Sequence, residues 1–364
     1  MILPVFLVSL FLVGVILSWL ASFATRKLAW RWNAIAQPTG GRRVHQKPTP
    51  QLGGIGIGLT IILLILVGMS AGWFSSLQIR PLQLGGFVVA LGILLAVGYA
   101  DDRWDISAGL RLALYTLACL IIIISGTSIH QVTGISGHGL MRLDQWSALF
   151  SFSGRHLNLA FPGDLLTLLW LLAVLHATKF LDGLDGLVAG QTVIGAGLIV
   201  FLTLSAAFFQ PAVAILAIIV LGAFAGFLPI NMHPARQFLG ESGSTIAGFS
   251  LGFLAIVSGA KVATAFMALG IPLVDALLVV VGRCLRGTSP FRGDDTHLHF
   301  KLVKSGLSKR QVVMLYWSVA LVAGVMAFGF QTRGKFLLML GLLIGTASLS
   351  WLAGTRSRSP SKNK

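Results

Sequence analysis

The chain alternates long apolar stretches with short polar islands. Apolar runs fall at roughly 2–20, 52–70, 83–100, 110–125, 162–177, 187–207, 212–229, 243–258, 262–282, 312–330 and 336–353. A membrane-crossing helix needs about 20 mostly apolar residues. The pattern therefore predicts an all-α, polytopic membrane protein of about eleven transmembrane helices. No polar interval is long enough for a separate soluble domain, so residues 1–354 are expected to form one transmembrane domain, followed by a basic, disordered tail over 355–364. The first run, Ile2 to Leu20, has no positive charge before it, whereas Arg26, Lys27 and Arg31 follow. A cleaved signal peptide carries its charge in front. By the positive-inside rule this is a first span with the N-terminus outside and, after an odd number of spans, the C-terminus in the cytoplasm.

Composition agrees: 55% of residues are hydrophobic and only 10% charged, against about 25% charged in soluble domains. The formal charge of +16 invites a nucleic-acid reading, but its placement argues otherwise. On the expected topology, 21 of the 27 Lys and Arg fall in inside segments, which is what membrane insertion alone would produce. The acids are more telling. Asp101, Asp102, Asp105, Asp182, Asp185, Glu241, Asp294 and Asp295 also fall inside, with Asp144 and Asp164 outside and Asp275 within a span. Acids contribute little to topology, so their gathering on one face indicates a site. Cys119 and Cys284 suit neither a disulfide framework nor a cysteine metal site. Residues 126–160 are polar, rich in Gly and Ser, and hold His130, His138 and His156 without a recognisable ligand spacing; an external loop is expected. Gly54 and Gly58 form a GxxxG that points to close helix packing.

Five inside islands carry the candidate chemistry. In GRRVHQKPTPQLGG, His45 and Lys47 precede a rigid Pro-Thr-Pro turn that can present cations to phosphate. In YADDRWDISAGLR, adjacent Asp101 and Asp102 repel unless a cation or water offsets them. Mg²⁺ suits such a pair, because it takes oxygen ligands and is usually held by one or two carboxylates plus substrate phosphates. In FLDGLDGLVAG, behind Lys179, Asp182 and Asp185 would share a face if the stretch were helical. In INMHPARQFLGESGS, Glu241 opens a new span whose N-terminal amides favour an anion, and Phe238 could stack on a base. In RCLRGTSPFRGDDTHLHFKL, His297 and His299 at i,i+2 do not share a helix face and are read as loop ligands for phosphate or base. Carboxylates for Mg²⁺, cations for phosphate and a membrane setting together suggest phosphoryl transfer involving a lipid phosphate.

From His45 to about Leu307, with these motifs in matching order, the chain resembles the polyprenyl-phosphate N-acetylhexosamine-1-phosphate transferases. The resemblance implies a multispan helical enzyme, often a homodimer, with a cytoplasmic Mg²⁺ site (Mn²⁺ as an alternative) in the cell inner membrane. It implies transfer of a sugar-1-phosphate from a UDP-sugar to undecaprenyl phosphate with release of UMP. Through it, Asp102 and Glu241 are expected to hold Mg²⁺, and Asp101 to orient the lipid phosphate. Asp182, Asp185, Asn231 and Phe238 are expected to take the sugar nucleotide; His45, Lys47, His297 and His299 the phosphates; Lys179 a carboxylate or phosphate. The stretch HLHFKLVKSGLS looks more like the N-acetylglucosamine branch than the muramoyl-pentapeptide branch. Five positions depart from the family pattern. Glu241 replaces an Asp, Lys179 and His176 replace two Asn, Arg111 replaces a Lys, and Phe300 replaces a third His. Two other readings stay open: a transporter using Asp275 and Lys261 within the membrane, and an inactive relative that binds lipid-linked sugars.

Overall fold

The computed structural model describes residues 2–38, 47–74, 78–133, 139–152, 155–259, 269–288 and 296–358. Its helices are α1 (Ile2–Arg31), α2 (Gly53–Ser70), α3 (Pro81–Trp104), α4 (Ala108–Ile124), α5 (Phe161–Leu181), α6 (Leu187–Leu204), α7 (Pro211–Asn231), α8 (Gly240–Val257), α9 (Gly270–Leu285), α10 (Leu298–Lys304), α11 (Lys309–Gly329) and α12 (Thr332–Arg358). Among the described residues, nine helices are long and apolar enough to cross a membrane: α1, α2, α3, α5, α6, α7, α8, α11 and α12. Of the other two expected spans, α4 is an apolar helix of 17 residues. The second is met only by the 16 residues of α9, since 260–268 lie outside the described residues. The protein is a polytopic helical membrane protein.

Between α4 and α5, where the sequence suggests an irregular loop, two antiparallel hairpins stand. One pairs β3 (Gln131–Thr133) with β4 (Leu140–Arg142), the other β5 (Ser147–Phe152) with β6 (Arg155–Ala160). The period-two alternation in RHLNLA is what a strand requires, over a run too short to stand out from loop composition. A short ladder, β1 (Ile35–Ala36) with β2 (Thr49–Pro50), ties the first polar island to the end of α1.

Helix α8 is the hub. It packs on α2, α3, α5, α6 and α7, and nearly all of it is buried. Its first turn is wedged between two helices that yield room through glycine. A side chain at Gly54 would run into the backbone of Gly243, and one at Gly98 into the backbone of Ser242. The expected role of Gly54 and Gly58 in packing is thus met; the latter abuts Leu95 and Ile246. Aromatic stacking of Phe87 on Phe253, with ring centroids 4.3 Å apart, closes the α3–α8 seam nearer the opposite end of the helices.

Candidate active site

The ends of seven helices or their connecting turns meet at one end of the bundle. The last turn of α3 supplies Asp101 and Asp102, the start of α4 Arg111 and Tyr115, and the end of α5 His176 and Lys179. Helix α5 stops at Leu181, and residues 182–186 form a tight turn that ends at Gly186 in the left-handed region (φ 80°). Asp182 and Asp185 therefore sit on a turn between helices and share no helical face, a correction that follows from the two glycines of D-G-L-D-G. Both nevertheless line the same cavity, of about 570 Å³, together with Asp102, Arg111, Tyr115, Lys179, Asn231, Phe238, Glu241, Arg283, His297 and Lys309.

Asp101, Asp102, Glu241 and Asp185 each have a defined partner. Arg111 Nη1 donates to both carboxylate oxygens of Asp101 at 2.6 Å, so Asp101 stands behind Arg111 and does not itself line the cavity. The Glu241 backbone N–H donates to both oxygens of Asp102 at 3.1 Å. The amides at the start of α8 do attract an anion, as expected, but it is the protein's own Asp102. Gly240, with φ 71°, permits this approach, since a side chain there would strike Asp102 and the Gln51 carbonyl. Glu241 Oε1 accepts from the Tyr115 hydroxyl and pairs with the Lys179 ammonium, which lies 5.5 Å from the centroid of the Tyr115 ring. Two departures from the family pattern, Glu241 and Lys179, are thus in direct contact. Asp185 accepts from His233 Nδ1 at 2.7 Å and from the Ala235 N–H at 3.2 Å.

Other expected ligands are placed differently. Asn231 lines the cavity, but its amide is engaged by the protein: Oδ1 accepts from the Gly186 N–H and Nδ2 donates to the Gln237 carbonyl. It pins the Asp185 turn to the segment that leads into α8. His297 lines the cavity, whereas His299 is fully buried against Gly183 and away from the lining. Burial holds the His299 imidazole neutral, its pKa pushed down to about 3. A fully buried ring in the first turn of a short helix is packing for the Gly183 turn and offers no surface to a phosphate. Lys47 is exposed and outside the lining, where Ala36 and Gln51 stand instead. His45, Asp294 and Asp295 lie outside the described residues.

Among the lining residues, Tyr115, Arg283 and Lys309 have no role in the sequence reading, and Arg111 stands there only as the replacement for a Lys. Tyr115 follows Arg111 by one helical turn, so the two share a face. That spacing was a usable signal only once α4 was known to begin at Ala108. Arg283 is 3% exposed at the end of α9, and a buried Arg is rare unless paired.

The donor set fits a hard divalent cation. Among the described residues no three of His, Cys, Asp and Glu converge as a complete metal shell. Two carboxylates, Asp102 and Glu241, do adjoin across the first turn of α8, which matches an ion that keeps water and takes one or two carboxylates plus phosphate.

Comparison with known proteins adds an independent finding. The family model described as glycosyl transferase family 4 matches residues 84–259, from α3 to the end of α8. The chain is 30% identical to the decaprenyl-phosphate N-acetylglucosaminephosphotransferase of Mycolicibacterium smegmatis, an alignment covering 96% of this chain and 89% of that protein. It is 27% identical to the probable undecaprenyl-phosphate N-acetylglucosaminyl 1-phosphate transferase of Bacillus subtilis, covering 88% and 83%. It is 29% identical to the phospho-N-acetylmuramoyl-pentapeptide-transferase of a Geobacillus species, covering 78% and 84%.

Proposed function

Because the chain belongs to glycosyl transferase family 4, we propose that it transfers N-acetylglucosamine-1-phosphate from a UDP-sugar to a polyprenyl phosphate, releasing UMP, at the cytoplasmic face of the cell membrane. The observation that carries this reading is the single cavity in which carboxylates and the cations Arg111, Lys179, Arg283 and Lys309 converge. Full-length similarity to N-acetylglucosamine phosphotransferases supports the sugar, and the apolar helices around the cavity support a lipid acceptor.

In the proposed step an oxygen of the lipid phosphate attacks the sugar-bearing phosphorus of the donor. The bond from that phosphorus to the bridging oxygen breaks, and UMP leaves with the electron pair. A phosphate monoester has its second pKa near 6, so the acceptor is largely dianionic at neutral pH and needs no strong general base. Alignment and charge neutralisation then supply most of the catalysis. Asp102 and Glu241 would hold Mg²⁺, which when bound neutralises phosphate charge as a Lewis acid. Asp101 acts through Arg111: its carboxylate aims the guanidinium at the acceptor phosphate. Lys179, Arg283 and Lys309 draw the donor's diphosphate into the cavity, Asp182 and Asp185 face its sugar and nucleoside end, and Phe238 offers a flat apolar surface for the base. For topology, the nine long helices with α4 and α9 support eleven crossings, with the acidic end of the bundle in the cytoplasm.

The test is UMP release from purified protein given undecaprenyl phosphate and a panel of UDP-sugars. Release with UDP-N-acetylglucosamine above all others is expected. No release with any sugar, from protein that is folded and supplied with Mg²⁺, would leave the inactive lipid-binding relative as the reading. Of the two charges in the transporter reading, Asp275 is bound to His297, which lines this cavity, and Lys261 lies outside the described residues.

A further inference from the structure

Asp275 lies on α9, 3% exposed, where an acid has no reason to be unless it serves a partner. It has two. Its Oδ2 accepts from His297 Nδ1 at 2.9 Å, and its Oδ1 accepts from the Leu298 backbone N–H at 2.9 Å, at the start of α10. The His297 ring is held on its faces as well. Phe180 stacks on it at 5.3 Å between centroids, and His299 lies at 5.9 Å with its plane only 14° off parallel. The His297 and Asp275 side chains are each 5% exposed. With Nδ1 committed to Asp275, Nε2 is the one ring nitrogen left for a ligand in the cavity that His297 lines.

We propose that Asp275 is a positioning residue that holds His297 as a ligand for a phosphate of the nucleoside diphosphate donor. A phosphate oxygen takes a hydrogen bond from Nε2 only when that nitrogen carries a proton. Nδ1 already donates to a carboxylate, so the ring binds phosphate as an imidazolium set between two anions, Asp275 and the donor. Arg283, two turns along the same face of α9, lines the same cavity and makes one helix the support for two cationic phosphate contacts. The inference rests on the function proposed above and assigns it a residue outside every polar island.

Asp275→Asn keeps the shape but offers one acceptor where two are needed. Leu298 N–H takes the amide oxygen, the amide N–H faces Nδ1, and the ring is driven to its neutral tautomer. The experiment is calorimetric titration of the full-length protein in detergent with UDP-N-acetylglucosamine, for the unaltered chain, Asp275→Asn, His297→Gln and the double variant. Asp275→Asn is expected to weaken binding about 10-fold or more, and the double variant to bind no more weakly than His297→Gln alone. Unchanged affinity in Asp275→Asn, or losses that simply add, would overturn the assignment. Should Asp275→Asn fail to fold, ¹⁵N-histidine spectra of the unaltered protein decide. Both ring nitrogens of His297 are expected to be protonated when UDP is bound, and a neutral bound ring would overturn the proposal. If the unaltered chain binds no UDP-sugar, the proposed function falls first and this inference with it; binding with Asp275 indifferent removes the inference alone.

Discussion

At the scale of single residues, the contact between Glu241 and Lys179 decides how the departures from the family pattern are understood. Glu241 is one methylene longer than the Asp it replaces, and its Oε1 is taken by both Tyr115 and Lys179. Shortening it to Asp would pull the carboxylate off both partners, and a misplacement of about 1 Å can cost on the order of 10²-fold in rate. Glu241→Asp and Lys179→Asn are each expected to lower turnover, and the double variant to recover part of the loss, because each residue answers the other. Strictly additive losses in that cycle would show the two positions to be independent. His299 makes a second prediction, about pH. An ordinary His has a pKa near 6.5, and burial lowers that of folded His299 to about 3. Between those values the unfolded chain binds a proton that the folded chain does not. The stability His299 permits is full above about pH 6.5 and is lost as pH falls toward 3. His299→Gln, neutral at every pH, is expected to flatten the fall in thermal midpoint between pH 7 and pH 4.5. An unchanged slope would place the acid sensitivity elsewhere.

At the scale of elements, the site depends on where α8 begins. Its first turn carries Glu241, presents the amide bound by Asp102, and fits between α2 and α3 only because Gly54 and Gly98 have no side chains. Gly98→Ala puts a methyl into the Ser242 backbone, an overpacking that typically costs about 1–3 kcal/mol. It is expected to lower the thermal midpoint and to reduce turnover by more than the midpoint alone explains, since α8 must shift to make room. Full turnover with a lowered midpoint would show that the site tolerates movement of that helix. The Asp185 turn depends in the same way on Asn231, which reaches from α7 to the Gly186 amide. Asn231→Ala leaves that buried N–H without its acceptor, at a cost of about 1–3 kcal/mol. It is expected to raise the KM for the donor more than it lowers kcat, as steady-state kinetics would show. A fall in kcat at constant KM would mean that the Asp185 turn serves the chemical step.

At the scale of the whole molecule, the polar ends of separate helices face one another across a cavity at one end of an apolar bundle. Among the described residues no single segment contains a working set of ligands, so the proposed dependence on a divalent ion would be a property of the assembly. Turnover is expected to stop in EDTA and return with Mg²⁺ or Mn²⁺. Asp102→Asn is expected to lower it by orders of magnitude with the thermal midpoint nearly unchanged. Full activity in chelator would remove the metal from the proposed mechanism.

The membrane class, most of the helix positions and the identity of the acidic face were legible in the sequence. Each depends on hydrophobicity and charge summed over about 20 residues, which local order alone determines. The residues of Asp-Asp-Arg, D-G-L-D-G and the segment around Glu241 could also be picked out, because a carboxylate at a membrane boundary is costly without a task. Their partners could not. Asp101 behind Arg111, Tyr115 on Glu241, and Asp275 behind His297 are contacts across 10, 126 and 22 residues, respectively. Hydrophobic periodicity carries no record of which helix end will face which. His297 and His299 illustrate the limit most directly: two residues apart in the chain, one lines the cavity and the other is sealed beneath Gly183. Only the packing of α9, α10 and the Asp182–Gly186 turn decides which ring faces the cavity, because burial is set by neighbours that come from other parts of the chain.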